Sequence, residues 1–215
     1  MTYIENIYLC IALPVMLAVL CTNPRARVSM LFLLSGMTVC LFSSYISTFL
    51  ASVMRTDLVT ASVEITPLVE ECMKLLPVLF SLLVFEPRKQ TAANGILMTA
   101  VGFATFENIC YLAANGAGNI LNVLIRGAGA GAMHIFCGFL IGVGLLYLWD
   151  VLWLKVTGTI SLLCLVITFH AIYNLLVTQT GALCLIGYVL PIVCLIPAIP
   201  VGWWLVRKDP SFHSY

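Results

Sequence analysis

The stretch "PLVEECMKLLPVLFSLLVF" occupies residues 67–85. It is close to the roughly 20 mostly apolar residues that a helix needs to cross a bilayer. Glu70, Glu71 and Lys74 nonetheless fall in its first two turns. A charged side chain at the bilayer centre costs about 2.5–3.5 kcal/mol even on the mild insertion scale. Two explanations compete. Acidic residues favour helix N-termini, so the pair could mark a solvated helix start. Alternatively, the three charges form one wall of a polar site inside a helical bundle. The rest of the chain decides between them.

The chain has 215 residues, 62% of them hydrophobic and 9% charged, with a mean hydropathy of +1.09. Soluble domains carry about 25% charged residues. This composition excludes a soluble globule and predicts an integral membrane protein. The net charge of +1 comes without a basic run, which excludes a nucleic-acid footprint. Seven of the nine cysteines, from Cys10 to Cys194, lie inside apolar segments, and no CxxC occurs. They read as small packing residues rather than a disulfide or zinc framework. The first apolar stretch lacks a basic leader and is expected to stay as a span.

Seven spans are predicted, at 5–22, 28–51, 67–85, 91–114, 127–149, 158–178 and 183–206. Their breaks are "TNPRAR", "SVMRTDLVTASVEIT", "EPRK", "NGAGN", "WDVLWLK" and "TQTGAL". Proline, glycine, asparagine and clustered charge mark most of them as turns. "WDVLWLK" reads as an interfacial loop with Asp150 and Lys155 at headgroup level. The expected fold is therefore an all-α polytopic bundle forming a single domain over 1–215. Arg25, Arg27, Arg88, Lys89, Lys155, Arg207 and Lys208 fall on one side, Arg55 and Arg126 on the other. The positive-inside rule then predicts an extracytoplasmic N-terminus and a cytoplasmic C-terminus.

Against this topology the intramembrane polar residues line up. A helix rises 1.5 Å per residue, which puts Glu70 ~5 Å and Lys74 ~10 Å below the outer surface. Glu107 has climbed ~24 Å from the inner side and His134 sits ~10 Å down from the outer one. His170 falls slightly outside the midplane, and Asn174 about a turn higher. All belong to the outer half. Helical spacing lets Lys74 reach both Glu70 (i,i+4) and Glu71 (i,i+3). Glu107 with Tyr111, and His170 with Asn174, are further i,i+4 pairs. The same-face pairing of Glu70 with Lys74 inclines the choice of base toward Glu70.

Two carboxylates and two histidines suit general acid–base work on water or coordination of a divalent metal. A carboxylate in low dielectric is a stronger base. An asparagine near a histidine can donate to a developing oxyanion. Such a set hydrolyses a peptide bond without a serine or cysteine nucleophile. HExxH, GxSG and GxGD signatures are absent.

The motifs present are "EECMK" (Glu70–Lys74), "FENICY" (Phe106–Tyr111), a histidine in "RGAGAGAMHIF" (His134) and "HAIYN" (His170–Asn174). In order and combination, over a core of about 67–178, they resemble the PrsW family of membrane proteases. That family is related to the type II CAAX prenyl endopeptidases and to the scaffold subunit of gamma-secretase. The resemblance implies packed membrane helices with the site in the outer leaflet of a bacterial plasma membrane. It implies first cleavage of a single-span substrate such as a membrane-anchored anti-sigma factor. By position, Glu70 and Glu71 supply the catalytic carboxylate, with Glu71 or Lys74 in support. Glu107, His134 and His170 complete the site, and Tyr111 and Arg126 assist. Asn174 stands where some members carry aspartate, which favours an oxyanion or orienting role over a ligand role. If a metal is used, zinc on Glu70, Glu107, His134 and His170 is the expected arrangement. A glutamate-only mechanism, as in the CAAX relatives, is the other.

Each residue alone has a simpler explanation. Lys74 could snorkel, Tyr111 and Tyr173 could pack, Arg126 could anchor a helix end, and the glycines of 127–131 could serve close helix approach. Two other functions use similar residues: proton-coupled transport, and a non-catalytic scaffold. The inner half of the bundle carries few polar residues, among them Asn94, Thr99 and Ser161, which fits a one-sided site better than a through-path.

Overall fold

A computed structural model describes residues 3–85 and 89–208. Residues 86–88 of the "EPRK" break, including Arg88, and the tail from residue 209 lie outside the described residues. Helices account for nearly all of the rest: α1 (Ile4–Cys21), α2 (Pro24–Met54), a single turn α3 (Leu58–Thr60), a π-helical turn (Ala61–Ile65) running directly into α4 (Thr66–Val84), α5 (Lys89–Asn115), α6 (Ile120–Leu148), α7 (Leu152–Val177) and α8 (Ala182–Lys208). No strand occurs among the described residues. Six of the helices are long and apolar enough to cross a membrane. The remaining long helix, α4, is the one that carries Glu70, Glu71 and Lys74. The chain is a multi-pass membrane protein.

Local chemistry sets the helix ends, and it moves several of them away from the expected positions. Asn23 caps α2 by accepting from Ala26 N at 3.0 Å, with Pro24 in the first turn. Pro is favoured there because its missing N–H would be unpaired anyway. Arg55, at φ +54°, closes α2 in the left-handed conformation. Asn119 accepts from Leu121 N (3.0 Å) and Asn122 N (3.3 Å) and so starts α6 at residue 120 rather than 127. The predicted "WDVLWLK" loop is correspondingly short. Only the turn 149–151 interrupts the helices, and α7 resumes at Leu152.

The polar segment 52–66 is the largest departure. Asp57 accepts from Val59 N, Thr60 N and the Thr60 hydroxyl at 2.9, 3.0 and 2.6 Å. The Thr60 contacts, the hydroxyl first, hold its carboxyl below the usual range. This cap starts helical structure eight residues ahead of α4, where a loop is expected from the charges alone. The wider π turn then joins the two without a break.

Packing is built on small residues between α2 and α5. A Cβ on Gly36 would stand 2.1 Å from the Thr99 carbonyl oxygen, and one on Gly102 2.0 Å from that of Leu33. Both distances mean backbone against backbone, as expected where membrane helices lack a hydrophobic drive to associate. Of the glycines in the "GAGAG" run, a Cβ on Gly129 would meet the Tyr188 ring and backbone on α8, whereas one on Gly127 or Gly131 would meet nothing within 4 Å. The main core joins Val78, Ile96, Met133, Cys137, Val166 and Tyr173 from α4, α5, α6 and α7. Leu17, Leu20, Phe49, Leu83 and Ile196 are exposed on the outer faces, as lipid contact requires. At the helix ends, Tyr45 donates to Glu5, and Lys89 pairs with Asp150.

Candidate active site

The motif-bearing faces of α4, α5, α6 and α7 meet at one level. Glu71 (1% exposed) lies at the centre. Its Oε1 accepts from Lys74 Nζ at 2.6 Å and from His170 Nδ1 at 2.7 Å. Lys74 Nζ also approaches His134 Nδ1 at 3.0 Å. His134 Nε2 faces Glu107 Oε2 at 2.6 Å, and Glu107 Oε1 accepts from Arg126 Nη2 at 2.7 Å. The chain of contacts thus runs His170–Glu71–Lys74–His134–Glu107–Arg126 across four helices. Helix starts at 58 and 120 shift the distances of Glu70 and His134 from their chain entry points. The common level holds regardless, because these side chains touch.

The pairing of Lys74 differs from the expected one in a way that matters. Lys74 donates to Glu71, three residues away, rather than to Glu70, four away. Glu70 is 9% exposed, and its Oε2 is buried with no hydrogen-bond partner. His170 turns Nε2 toward that oxygen across 3.8 Å, too long for a direct hydrogen bond. Two adjacent and chemically identical carboxylates therefore have opposite surroundings. Glu71 has an oxygen that accepts from two partners, and Glu70 has a buried oxygen that accepts from none.

Aromatic rings support the network. The Lys74 ammonium lies 5.0 Å from the Phe103 ring centroid. Cation–π contacts of this kind contribute about 0.5–2 kcal/mol, the more so when desolvated. Phe103 also lies 5.0 Å from the His134 ring, and His134 meets His170 edge-on at 5.2 Å. Arg126 stacks over Tyr111 at 4.5 Å. Phe103 was not singled out from the sequence. Its position one helical turn before Glu107 is the signal that could have found it.

Asn174 is turned away from this network. Its Nδ2 donates to the Ser62 carbonyl at 2.8 Å, tying α7 to the π turn ahead of α4. The π turn pairs Thr66 N with the Ala61 carbonyl, so the next carbonyl, Ser62, faces Pro67, which has no N–H to give, and Asn174 supplies the donor instead.

The donor set bears on metal binding. Glu70, His134 and His170 offer ligand atoms that all lie within 4.8 Å of one another. Two imidazoles and a carboxylate are a common set for a divalent metal. The unpartnered Glu70 Oε2 is the kind of orphan such an ion satisfies. His170 fits well, since Glu71 holds Nδ1 and leaves Nε2 facing Glu70. His134 has both nitrogens engaged, so an ion there would displace Lys74 or Glu107 at one of them. Glu107, included in the expected set, has both oxygens occupied. The residues fit the metal with that one exchange.

The fold and site define a polytopic helical membrane protein with a buried carboxylate–imidazole centre. Residues 23–201 match the PrsW family of intramembrane metalloproteases, and the chain belongs to that family. Its class of activity is accordingly intramembrane proteolysis, acting on protein embedded in a lipid bilayer. No curated protein and no solved structure matches the chain.

Proposed function

We propose that the protein is an intramembrane endopeptidase that cuts a single-span membrane protein near its extracytoplasmic face. Glu70 activates the water. One observation carries this reading: Glu70 presents a buried, unpartnered carboxylate oxygen facing His170 Nε2, whereas Glu71 Oε1 already takes both Lys74 and His170 Nδ1. An orphaned buried carboxylate is costly to keep unless a substrate, water or ion uses it. The seven-to-two distribution of loop lysines and arginines supports an outer-leaflet site. The family resemblance supports first cleavage of an anti-sigma factor in a bacterial plasma membrane.

The chemistry balances as a hydrolysis. Glu70 takes a proton from water as the water oxygen bonds to the scissile carbonyl carbon, and the carbonyl π pair moves onto its oxygen. That pair then re-forms C=O as the C–N bond breaks. The proton passes from Glu70 to the departing nitrogen, leaving a carboxylic acid and an amine. His170, oriented by Glu71, holds the water against Glu70. Lys74 keeps Glu71 charged in a dry setting, and Glu107 orients His134. Glu70, His134 and His170 would hold a divalent ion, zinc being the expected one, and when bound it would supply Lewis-acid polarisation of the reacting groups.

The test is cleavage of a labelled single-span substrate in proteoliposomes by purified protein and by Glu70→Gln. Cleavage by the wild type and none by the variant supports the proposal. If Glu70→Gln, Glu107→Gln and His134→Ala all cleave normally, the site assignment is wrong. If the wild type never cleaves, a scaffold or proton-coupled transporter takes its place.

A further inference from the structure

We propose that Arg126 and Tyr173 form a two-donor seat for the carbonyl oxygen of the scissile peptide bond. The proposal rests on the proteolytic reading above and adds to it the group that stabilises the developing negative charge.

Tyr173 is 1% exposed, its hydroxyl lies beside the Arg126 guanidinium, and the hydroxyl proton has no acceptor. Its ring packs in the main core and lies 6.2 Å from the Tyr188 ring. A phenylalanine would pack equally well there without a stranded hydroxyl. Arg126 shows the same deficit. Nη2 donates to Glu107 and the guanidinium rests on Tyr111, but Nε is buried without a partner. Tyr173 and Arg126 are electrostatic neighbours of each other and of Glu107.

The deficit has a definite sign. A guanidinium carries only donors, so Tyr173 can at most accept from it and keeps its own O–H to give. Glu107, the adjacent carboxylate, already has one oxygen on Arg126 and the other on His134. What the two donors lack is an acceptor oxygen. The corner adjoins the hydrolytic centre. Tyr173 follows His170 by three residues on α7, nearly one helical turn. Glu107 links Arg126 directly to His134.

Charge selects the ligand. Glu107 already balances Arg126, so the seat has little net charge to attract a permanent anion such as a lipid phosphate. It suits a neutral carbonyl, which it holds more tightly as negative charge grows on the oxygen. Asn174, the oxyanion donor expected from the sequence, spends its amide on Ser62.

The probe is a synthetic peptide with one apolar span and a polar outer segment flanked by fluorophore and quencher, reconstituted with the protein in vesicles. Removing one oxyanion donor lowers kcat by about 10²–10³-fold. Tyr173→Phe should show a kcat loss of about that size with KM changed less than about threefold, because the donor acts in the transition state. Its unfolding temperature should be equal or higher, which separates lost chemistry from lost folding. Wild-type cleavage that Glu70→Gln abolishes and Tyr173→Phe leaves at full kcat would overturn the seat and spare the protease. A Tyr173→Phe form that cleaves normally but binds phosphatidylglycerol vesicles less well would assign the seat to a lipid headgroup instead. If the wild type cleaves no peptide in a panel of such probes, the protease reading falls and the seat falls with it.

Discussion

His170 presents Nδ1 to Glu71 at 2.7 Å, and this contact fixes which way its other nitrogen points. With Nδ1 held, Nε2 faces the open oxygen of Glu70. Glu71 thus orients His170, and in the mechanism proposed above Glu70 is the group left to act on water.

The two glutamates should separate cleanly in stability. Glu71→Gln leaves the Lys74 ammonium buried without its counter-charge, and breaking a buried pair in this way costs about 3–5 kcal/mol. Glu70→Gln removes no hydrogen bond of Oε2, so its cost should stay below about 1 kcal/mol. Thermal unfolding in detergent reads the difference. The double variant Glu71→Gln/Lys74→Met should recover part of the loss. Equal destabilisation by the two single variants would contradict the division of roles.

Metal content provides a second separation. Wild-type protein purified with zinc present is expected to hold one ion, and His170→Ala or Glu70→Gln to lose it. Glu71→Gln should weaken affinity about 10–100-fold, the usual effect of losing a partner behind a ligand. Elemental analysis with a chelator titration measures both. A metal-free wild type that still cleaves in chelator would leave the carboxylate and imidazole to act alone.

Asn174→Ala should act on α4 rather than on the hydrolytic step. Loss of its bond to Ser62 should cost about 1 kcal/mol and speed hydrogen exchange across Ala61–Ile65. A drop in kcat of the size expected for an oxyanion donor, with exchange unchanged, would restore the role expected from the sequence.

Helix packing can be tested away from the site. Gly102→Val should destabilise the protein by more than about 3 kcal/mol, because the new side chain meets the Leu33 carbonyl rather than a side chain that can yield. Gly131→Val, with nothing within 4 Å, should be close to neutral. Comparable effects of the two would disprove the backbone contact between α2 and α5.

Much of the bundle was legible because hydropathy and loop charge act locally. Six of the seven expected spans could be read without their neighbours; α4, with its three charges, is the exception. The motif spacings likewise pointed Glu71, Glu107, His134 and His170 toward one level, where they touch. What stayed hidden depends on partners from elsewhere. A helical lead into α4 looked like a loop because its polar residues gave no hint that Asp57 caps it or that Asn174 steadies the π turn. Lys74 could reach either glutamate by spacing, and only the position of His170 on α7 made Glu71 the shared acceptor. Tyr173 looked like ordinary packing since periodicity cannot reveal that a hydroxyl lacks an acceptor.

The contrast between Glu70 and Glu71 has a consequence for how this centre could be lost or altered. Neighbours on a helix point about 100° apart, so these two identical side chains owe their separate duties to orientation alone. A rotation of α4 by one residue's step carries Lys74 along, but it would exchange which of the two glutamates meets His170 Nδ1 on α7. In the proposed mechanism, the identity of the base is thus encoded in the angle of a helix rather than in any difference of chemistry.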